Sequence, residues 1–401
     1  CGQQGVLLGP EGEILRLFIL PFVLLAAAFP ARAAQAPSSA SDTATPGVEI
    51  VRQHIDIDVL PNGTYTKLSD QAYRILTEQG RAGSQQITLS YTNGYQSIDI
   101  RAAYTLKANG TRIDVDKNSI LYGHGATSQP GYEDTRNVTV VYPDLEIGDQ
   151  VVLVTLFRQT KPWFDGQFGF SMYFGNEMVI KDARLTVTAP AQNFPLVVDA
   201  AGVDGGERQA AGGKRLWIWT FHNDTAEKAE SLGVFEPGKT PHIALSTFAS
   251  YADAAKIYAD RMKGKADVTP DIRKLADSLT KGMTDPSAKA HALYDWVSSH
   301  ISYVDIVLGA SGFEPNEASE VLATKYGDCK DHVMLLEAML KAEGIDSTPV
   351  LINAGATFEL PKAASPFNFN HMITYIPSLH LFADSTARYA AFGVLPDGDQ
   401  D

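Results

Sequence analysis

Cys329, His371 and Asp384 are residue types that together suit nucleophilic chemistry by a thiol. A thiolate attacks carbonyl carbon, an imidazole can take and return the thiol proton, and a carboxylate can hold the imidazole in one orientation. The chain has two cysteines, and the other, Cys1, lies in or ahead of an apolar N-terminal stretch with the pattern of an export signal. With that stretch removed a single thiol remains, so no intramolecular disulfide is possible. Free cysteine is most often an inert core residue. The surroundings of Cys329 favour the nucleophile instead.

Those surroundings are the opening of a helix. Asp328 has the character of an N-cap, Val333, Leu336, Met339 and Leu340 lie on one apolar face, and Gly344 is a suitable stop. The thiol then sits in the first turn, where unpaired N–H groups and the helix dipole favour an anion. Such a setting can bring a cysteine pKa from about 8.5 into a range of about 3.5–7.5. The backbone N–H of Cys329 is also placed to serve as an oxyanion donor.

Nine histidines could supply the base. His332 lies one turn from Cys329 on the same helix, with no distant residue to orient it. His371 is the better candidate because of a hairpin. If 371–376 and 379–384 are strands turning about Pro377-Ser378, pairing Ile376 with Leu379 sets a register with His371 directly opposite Asp384. Cross-strand Cβ atoms lie about 4.5–5.5 Å apart, within reach of a carboxylate–imidazole hydrogen bond. A metal at Cys329 and His332 would have too few ligands, and no second cysteine is at hand to complete a zinc site. No cofactor is expected. Asp114-Val115-Asp116-Lys117-Asn118 begins like a calcium loop, but Ser119 stands where glycine is required and Gly125 where the bidentate Glu belongs. Asn62, Asn109, Asn137 and Asn223 each head an N-x-Thr triplet, which exposed turns explain. Trp296 and Tyr303 could wall a cleft, though core packing is the commoner role of such residues.

The elements around this site fall into two halves. From Val48 to about Asn223 apolar residues recur with period two, as in Ile55, Ile57 and Val59. Asn62-Gly63, Asn93-Gly94 and Asn109-Gly110 are hairpin signals, because a tight primed turn needs positive φ at its centre. Later strands are predicted at 137–142, 150–157, 178–188 and 215–221, and the sum is an antiparallel β-sandwich-like domain. Gly123 to Thr135 reads as a surface connection. Beyond about residue 246 the period becomes helical. Phe248–Met262 is one helix, Pro270 and Pro286 each follow a capping residue, and Asn316–Ala323 leads towards Cys329. Strands are predicted at 348–353, 371–376 and 379–383. The class is α+β.

Leu17 to Phe29 is an apolar run of 13 residues broken only by Pro21, too short for a comfortable transmembrane helix. Arg16 precedes it and Ala31-Arg32-Ala33 follows, a small-x-small pattern suited to signal peptidase. Residues 1–36 are therefore expected to be signal peptide and upstream sequence, with the natural start near Leu15, and 37–46 a flexible linker. The expected location is periplasmic or secreted, with no stable membrane span after cleavage. Net charge is −14, from 33 basic and 47 acidic residues, which argues against a nucleic-acid partner or an anionic membrane surface. Hydrophobic content of 44% is too high for general disorder.

The order Cys, then His about forty residues on, then Asp soon after, resembles the transglutaminase-like superfamily, which shares the papain-like layout. Tyr326-Gly327-Asp328-Cys329-Lys330-Asp331 looks like its nucleophile motif. Asn370-His371-Met372 looks like its histidine strand, and Phe382-Ala383-Asp384-Ser385-Thr386 its aspartate strand. By pattern and order, the preceding half resembles the DUF3857-type β domain of exported bacterial proteins. The resemblance implies a DUF3857-like domain over 47–235 and a papain-like/transglutaminase-like α+β domain over 236–401, incomplete at its C-terminal end. It implies Cys329, His371 and Asp384 as a catalytic triad. The expected activity is thiol acyl transfer on a peptide or protein amide, as a peptidase or amidase. A cross-linking transamidase, or a non-catalytic envelope binding protein with a vestigial triad, are the alternatives. A cell-envelope component is a possible partner of the β domain.

Overall fold

A computed structural model describes residues 46–124, 135–209, 212–227, 236, 238–304, 313–355 and 359–399. The expected signal segment, all of the expected linker except its last residue, and most of the 123–135 connection lie outside these. Among the described residues no helix is long and apolar enough to cross a membrane.

The fold is α+β. Its first half is built on an eight-stranded sheet, in spatial order Asp204–Arg208, Lys214–Asn223, Ile180–Pro190, Val48–Val59, Tyr65–Ile75, Gln150–Gln159, Gln96–Leu106 and Arg112–Asp114. The period-two reading has its physical basis here: Ile55, Ile57 and Val59 are buried while His54, Asp56 and Asp58 face outward, half-buried. Neighbours run antiparallel with one exception, the parallel pair of Val48–Val59 with Ile180–Pro190. More than a hundred residues separate those two strands, so the chain has room for the crossover that parallel pairing demands. A smaller sheet of Val197–Ala201, His242–Ser246 and Gly169–Tyr173 closes the sandwich, with Phe168, Phe170 and Met172 buried in one cluster with Ile55, Leu185 and Val187.

Two expectations are corrected in this half. Gly63 and Gly110 have φ of 85° and turn between strands that pair with each other. Asn93-Gly94 also turns through positive φ, but its flanking strands enter different sheets, Gln86–Thr92 pairing with Thr135–Val141 instead. The Gln96 side chain takes the Thr92 N–H at 2.8 Å and donates to Gln159 at 2.9 Å, so the corner is satisfied without a ladder. Secondly, strand His242–Ser246 lies past residue 235 yet belongs to a sheet of the β domain. All five of its residues are buried, and a strand covered on both faces shows no alternation.

The second half gathers helices about Cys329–Ala342. Tyr251–Met262, Pro270–Leu279 and Pro286–His300 start at Ser250, Thr269 and Asp285, whose side chains accept from first-turn N–H groups. Leu335, Leu336, Met339 and Leu340 bury against Ile272, Leu293 and Val297 of two of these helices. The same helix also packs on a three-stranded antiparallel sheet, Thr348–Ile352, His371–Ile376 and Leu381–Ala383.

The halves meet through aromatic residues. The segment between Gln150–Gln159 and Gly169–Tyr173 buries Trp163 and Phe164 in a cluster with Phe248, Tyr258, Val333, Met334, Phe367 and Met372, and Cys329 packs against it. Phe164 makes ring contacts with Phe248, Tyr258, Phe313 and Phe367 at centroid distances of 5.4–5.9 Å. Trp163 stacks on Tyr95 at 4.8 Å. Gly169 permits this closeness, since a Cβ there would fall 2.6 Å from the Phe367 ring. Because Phe164 is 2% exposed, Phe164→Ala is expected to cost about 3–5 kcal/mol. Urea unfolding measures this; a loss below about 1 kcal/mol would mean that the interface contributes little.

Candidate active site

Cys329 is the first residue of its helix, and the residues around it explain why a helix starts there. Asp328 accepts the Asp331 N–H at 3.4 Å, and Asp331 accepts the Asp328 N–H at 3.3 Å, a reciprocal capping box. Asp331 is fully buried and also takes the backbone N–H of Asn316 at 2.7 Å and its side-chain amide at 3.0 Å. Gly327 leaves room for this carboxylate: a Cβ at 327 would fall 2.5 Å from the Asp331 Cβ. Lys330 turns inward and pairs with Asp328. Burial, opposed by Lys330 and reinforced by Asp331, pushes the Asp328 carboxyl up to about 6.

His371 begins the central strand of the small sheet. Its Nε2 lies 3.2 Å from Asp384 Oδ2, with side-chain exposures of 12% and 4%. Asp384 Oδ1 accepts the Thr386 N–H at 2.9 Å and hydroxyl at 2.7 Å. The Tyr294 hydroxyl lies 3.0 Å from the Asp384 carbonyl oxygen and 3.1 Å from that of Ala390, which fixes the aspartate's backbone from the helical side. Burial alone would strip the His371 ring of its proton. The Asp384 carboxylate and the Cys329 thiol near the ring reverse that and raise it to about 11. Burial raises the Asp384 carboxyl, yet the bond to His371, its charge and the bonds from Thr386 bring it down to about 2.

The pair forms through a register different from the expected one. Leu381, not Leu379, pairs with Ile376, because Pro377–Leu379 is a 3₁₀ turn closed by His380 at φ 49°. That places Ile373 rather than His371 across from position 384. A shift of two residues keeps each side chain on its face, so His371 reaches Asp384 diagonally.

His332 presents the opposite case. It is 1% exposed, its Nδ1 lies 3.0 Å from the Ser385 carbonyl oxygen, and its Nε2 has no hydrogen-bond partner among the described residues. An acceptor at Nδ1 requires the proton there, leaving Nε2 bare. Burial outweighs the Ser385 bond and the nearby carboxylates, lowering His332 to about 4. Tyr303 meets this ring edge-on at 5.9 Å, whereas Trp296 stacks on His300.

Asn316, Tyr294 and Asp399 escaped the sequence reading. Asn316 donates to Asp331 and Tyr294 to the Asp384 and Ala390 carbonyls, partners that only the tertiary fold brings near, so no local pattern marks them. Asp399, buried, brings a carboxylate oxygen to within 4.8 Å of ligand atoms on His371 and Asp384.

These features define a papain-like arrangement, with a thiol at a helix mouth facing a sheet that carries histidine and aspartate. Residues 61–227 match the family described as a domain of unknown function with solved structure, DUF3857, and residues 273–368 match the transglutaminase-like superfamily. The chain is thus a DUF3857 domain followed by a transglutaminase-like domain, and it is of cysteine-enzyme type at the level of that superfamily. The second match includes Cys329 and ends before His371. A Parabacteroides distasonis protein described as a candidate protease shares the fold, with a TM-score of 0.74 and 18% identity over 84% of this chain and 67% of that one. A candidate cysteine protease from Cytophaga hutchinsonii aligns at 12% identity over 80% of this chain and 76% of its own, with a TM-score of 0.23. No curated protein matches.

The charged His371–Asp384 pair gives stability a definite pH dependence. A histidine raised from 6.5 to about 11 contributes fully below pH 6.5, and the contribution is lost as pH rises towards 11. An aspartate lowered from 3.8 to about 2 contributes above pH 3.8 and is lost as pH falls towards 2. The stability advantage of the native chain over Asp384→Asn should therefore be largest between those windows, near pH 4 to 6.5, and shrink on either side. Urea midpoints from pH 3 to 9 measure it; an advantage that keeps growing to pH 9 would contradict the pairing.

Proposed function

We propose that the protein is a thiol acyl-transfer enzyme acting on peptide or protein amides, with Cys329 as nucleophile, His371 as base and acid, and Asp384 holding the imidazole. The observation that carries this reading is the place of His371, whose Nε2 lies 3.2 Å from the Asp384 carboxylate, on a sheet packed against the helix that Cys329 opens. With Nε2 committed to the carboxylate, Nδ1 is the nitrogen left for the thiol. His371 takes the Cys329 proton at Nδ1, or already stores it in a thiolate–imidazolium pair as its raised basicity favours, and the thiolate attacks the amide carbonyl carbon. The oxyanion meets the Cys329 N–H, one of the amides that a helix start leaves without an intrahelical acceptor. Nδ1 returns the proton to the departing amine and the C–N bond breaks, leaving a thioester. Water, deprotonated by His371, then adds to the thioester carbonyl, and the acid departs as the thiol is restored.

Hydrolysis is preferred to transamidation because nothing among the described residues marks a second site for an acceptor amine. The neutral tautomer of His332 makes it a fixed neighbour and a poor rival base. The apolar run from Leu17 to Phe29, followed by Ala31-Arg32-Ala33, supports an exported enzyme of the periplasm or exterior.

A screen of peptides and cell-wall fragments, comparing the native chain with variants, tests this. Cys329→Ala should abolish turnover, and Asp384→Asn should lower kcat by about two to four orders of magnitude. Turnover that survives Cys329→Ala would remove the thiol from the mechanism.

A further inference from the structure

Beside the His371–Asp384 pair lies a third carboxylate, Asp399, that acyl transfer does not use. His371, Asp384 and Asp399 each bring one ligand-type atom into a group whose members lie within 4.8 Å of one another. Asp399 is 9% exposed, and its Oδ2 has no hydrogen-bond partner among the described residues. A buried carboxylate oxygen without a donor is costly, and here its neighbour is a second carboxylate, which adds repulsion. A cation between the two carboxylates would relieve both costs. Asp399 is held in place by its backbone: its N–H donates to Pro396 at 2.9 Å, and the adjacent Gly398 carbonyl accepts from Gly355 at 2.7 Å.

The donor set selects the kind of cation. Calcium takes six to eight oxygens, and magnesium keeps most of its water. One imidazole nitrogen with two carboxylates suits a borderline divalent ion that accepts four ligands, the fourth being water. We infer that the chain binds one zinc-type divalent cation through His371 Nε2, Asp384 and Asp399. Cys329 is not a member of this group.

The consequence for activity rests on the proposed role of His371. A cation on Nε2 leaves the ring's single proton on Nδ1, the nitrogen that must accept the proton of Cys329. The ring can no longer take that proton, so the ion acts as a reversible brake on the thiol. Binding itself does not depend on that role.

Isothermal titration of the untagged full chain with zinc chloride, alongside magnesium and calcium chloride, separates these points. One zinc ion per chain is expected, with no stoichiometric binding of the other two. Asp399→Asn, close to isosteric, should weaken zinc binding at least tenfold, on the order of the loss when a metal's supporting group is removed. Asp399→Ala should weaken it at least as much, and Cys329→Ala should leave it unchanged. In the native chain, zinc should slow iodoacetamide alkylation of Cys329 with a midpoint at the same concentration, and a chelator should restore it. Absence of stoichiometric zinc binding, unchanged affinity in both Asp399 variants, or loss of binding in Cys329→Ala would overturn the inference. Turnover is measured without metal, so failure of the acyl-transfer reading would show there and leave the binding result intact.

Discussion

The Asp331 carboxylate is the constraint from which the catalytic half takes its geometry. It is fully buried, so it must be satisfied by donors, and those donors come from separate places in the chain: Asn316 from the preceding connection and Asp328 from the cap. Satisfying it fixes where the helix begins, and the residue at that beginning is Cys329. The glycine before the cap is part of the same constraint, since the carboxylate occupies the volume that a side chain at 327 would need. The Gly-Asp-Cys-Lys-Asp motif is therefore a packing solution as well as a chemical one.

Two histidines close to the same site show how partners, more than burial, set protonation. His371 and His332 are both largely removed from water. His371 faces a carboxylate and a thiol and is raised to about 11; His332 faces a carbonyl oxygen and is lowered to about 4. A carbonyl can fix a tautomer but offers little charge to hold a proton against desolvation. The site thus holds one charged imidazole and one neutral imidazole. The β domain belongs to the same assembly, because Phe164 and Trp163 complete the apolar cluster against which Cys329 packs.

Much of this was legible in the chain. Alternation at Ile55–Val59, the capping residues Thr269 and Asp285, and the Asp328 cap are local signals, and each led to the element observed. The candidate site residues were singled out by residue type, spacing and a hairpin, and the hairpin's turn was misjudged. Pro377-Ser378 looked like a two-residue turn, and the 3₁₀ turn with His380 in the left-handed region has no equally plain signature. What remained hidden depended on distant parts of the fold. The sheet exchange at Asn93-Gly94, the fully covered strand His242–Ser246, and the roles of Asn316, Tyr294 and Asp399 arise from contacts that no window of sequence contains.

The central claim is that an acyl group passes through the sulfur of Cys329 with the help of His371. Brief incubation with a peptide thioester, acid quenching and mass spectrometry of the tryptic peptide Tyr326–Lys330 address it directly. The account predicts an acyl adduct on Cys329 that hydroxylamine removes, forming far more slowly in His371→Ala. An adduct carried on any other residue, or equal labelling of Cys329 in the two proteins, would contradict it.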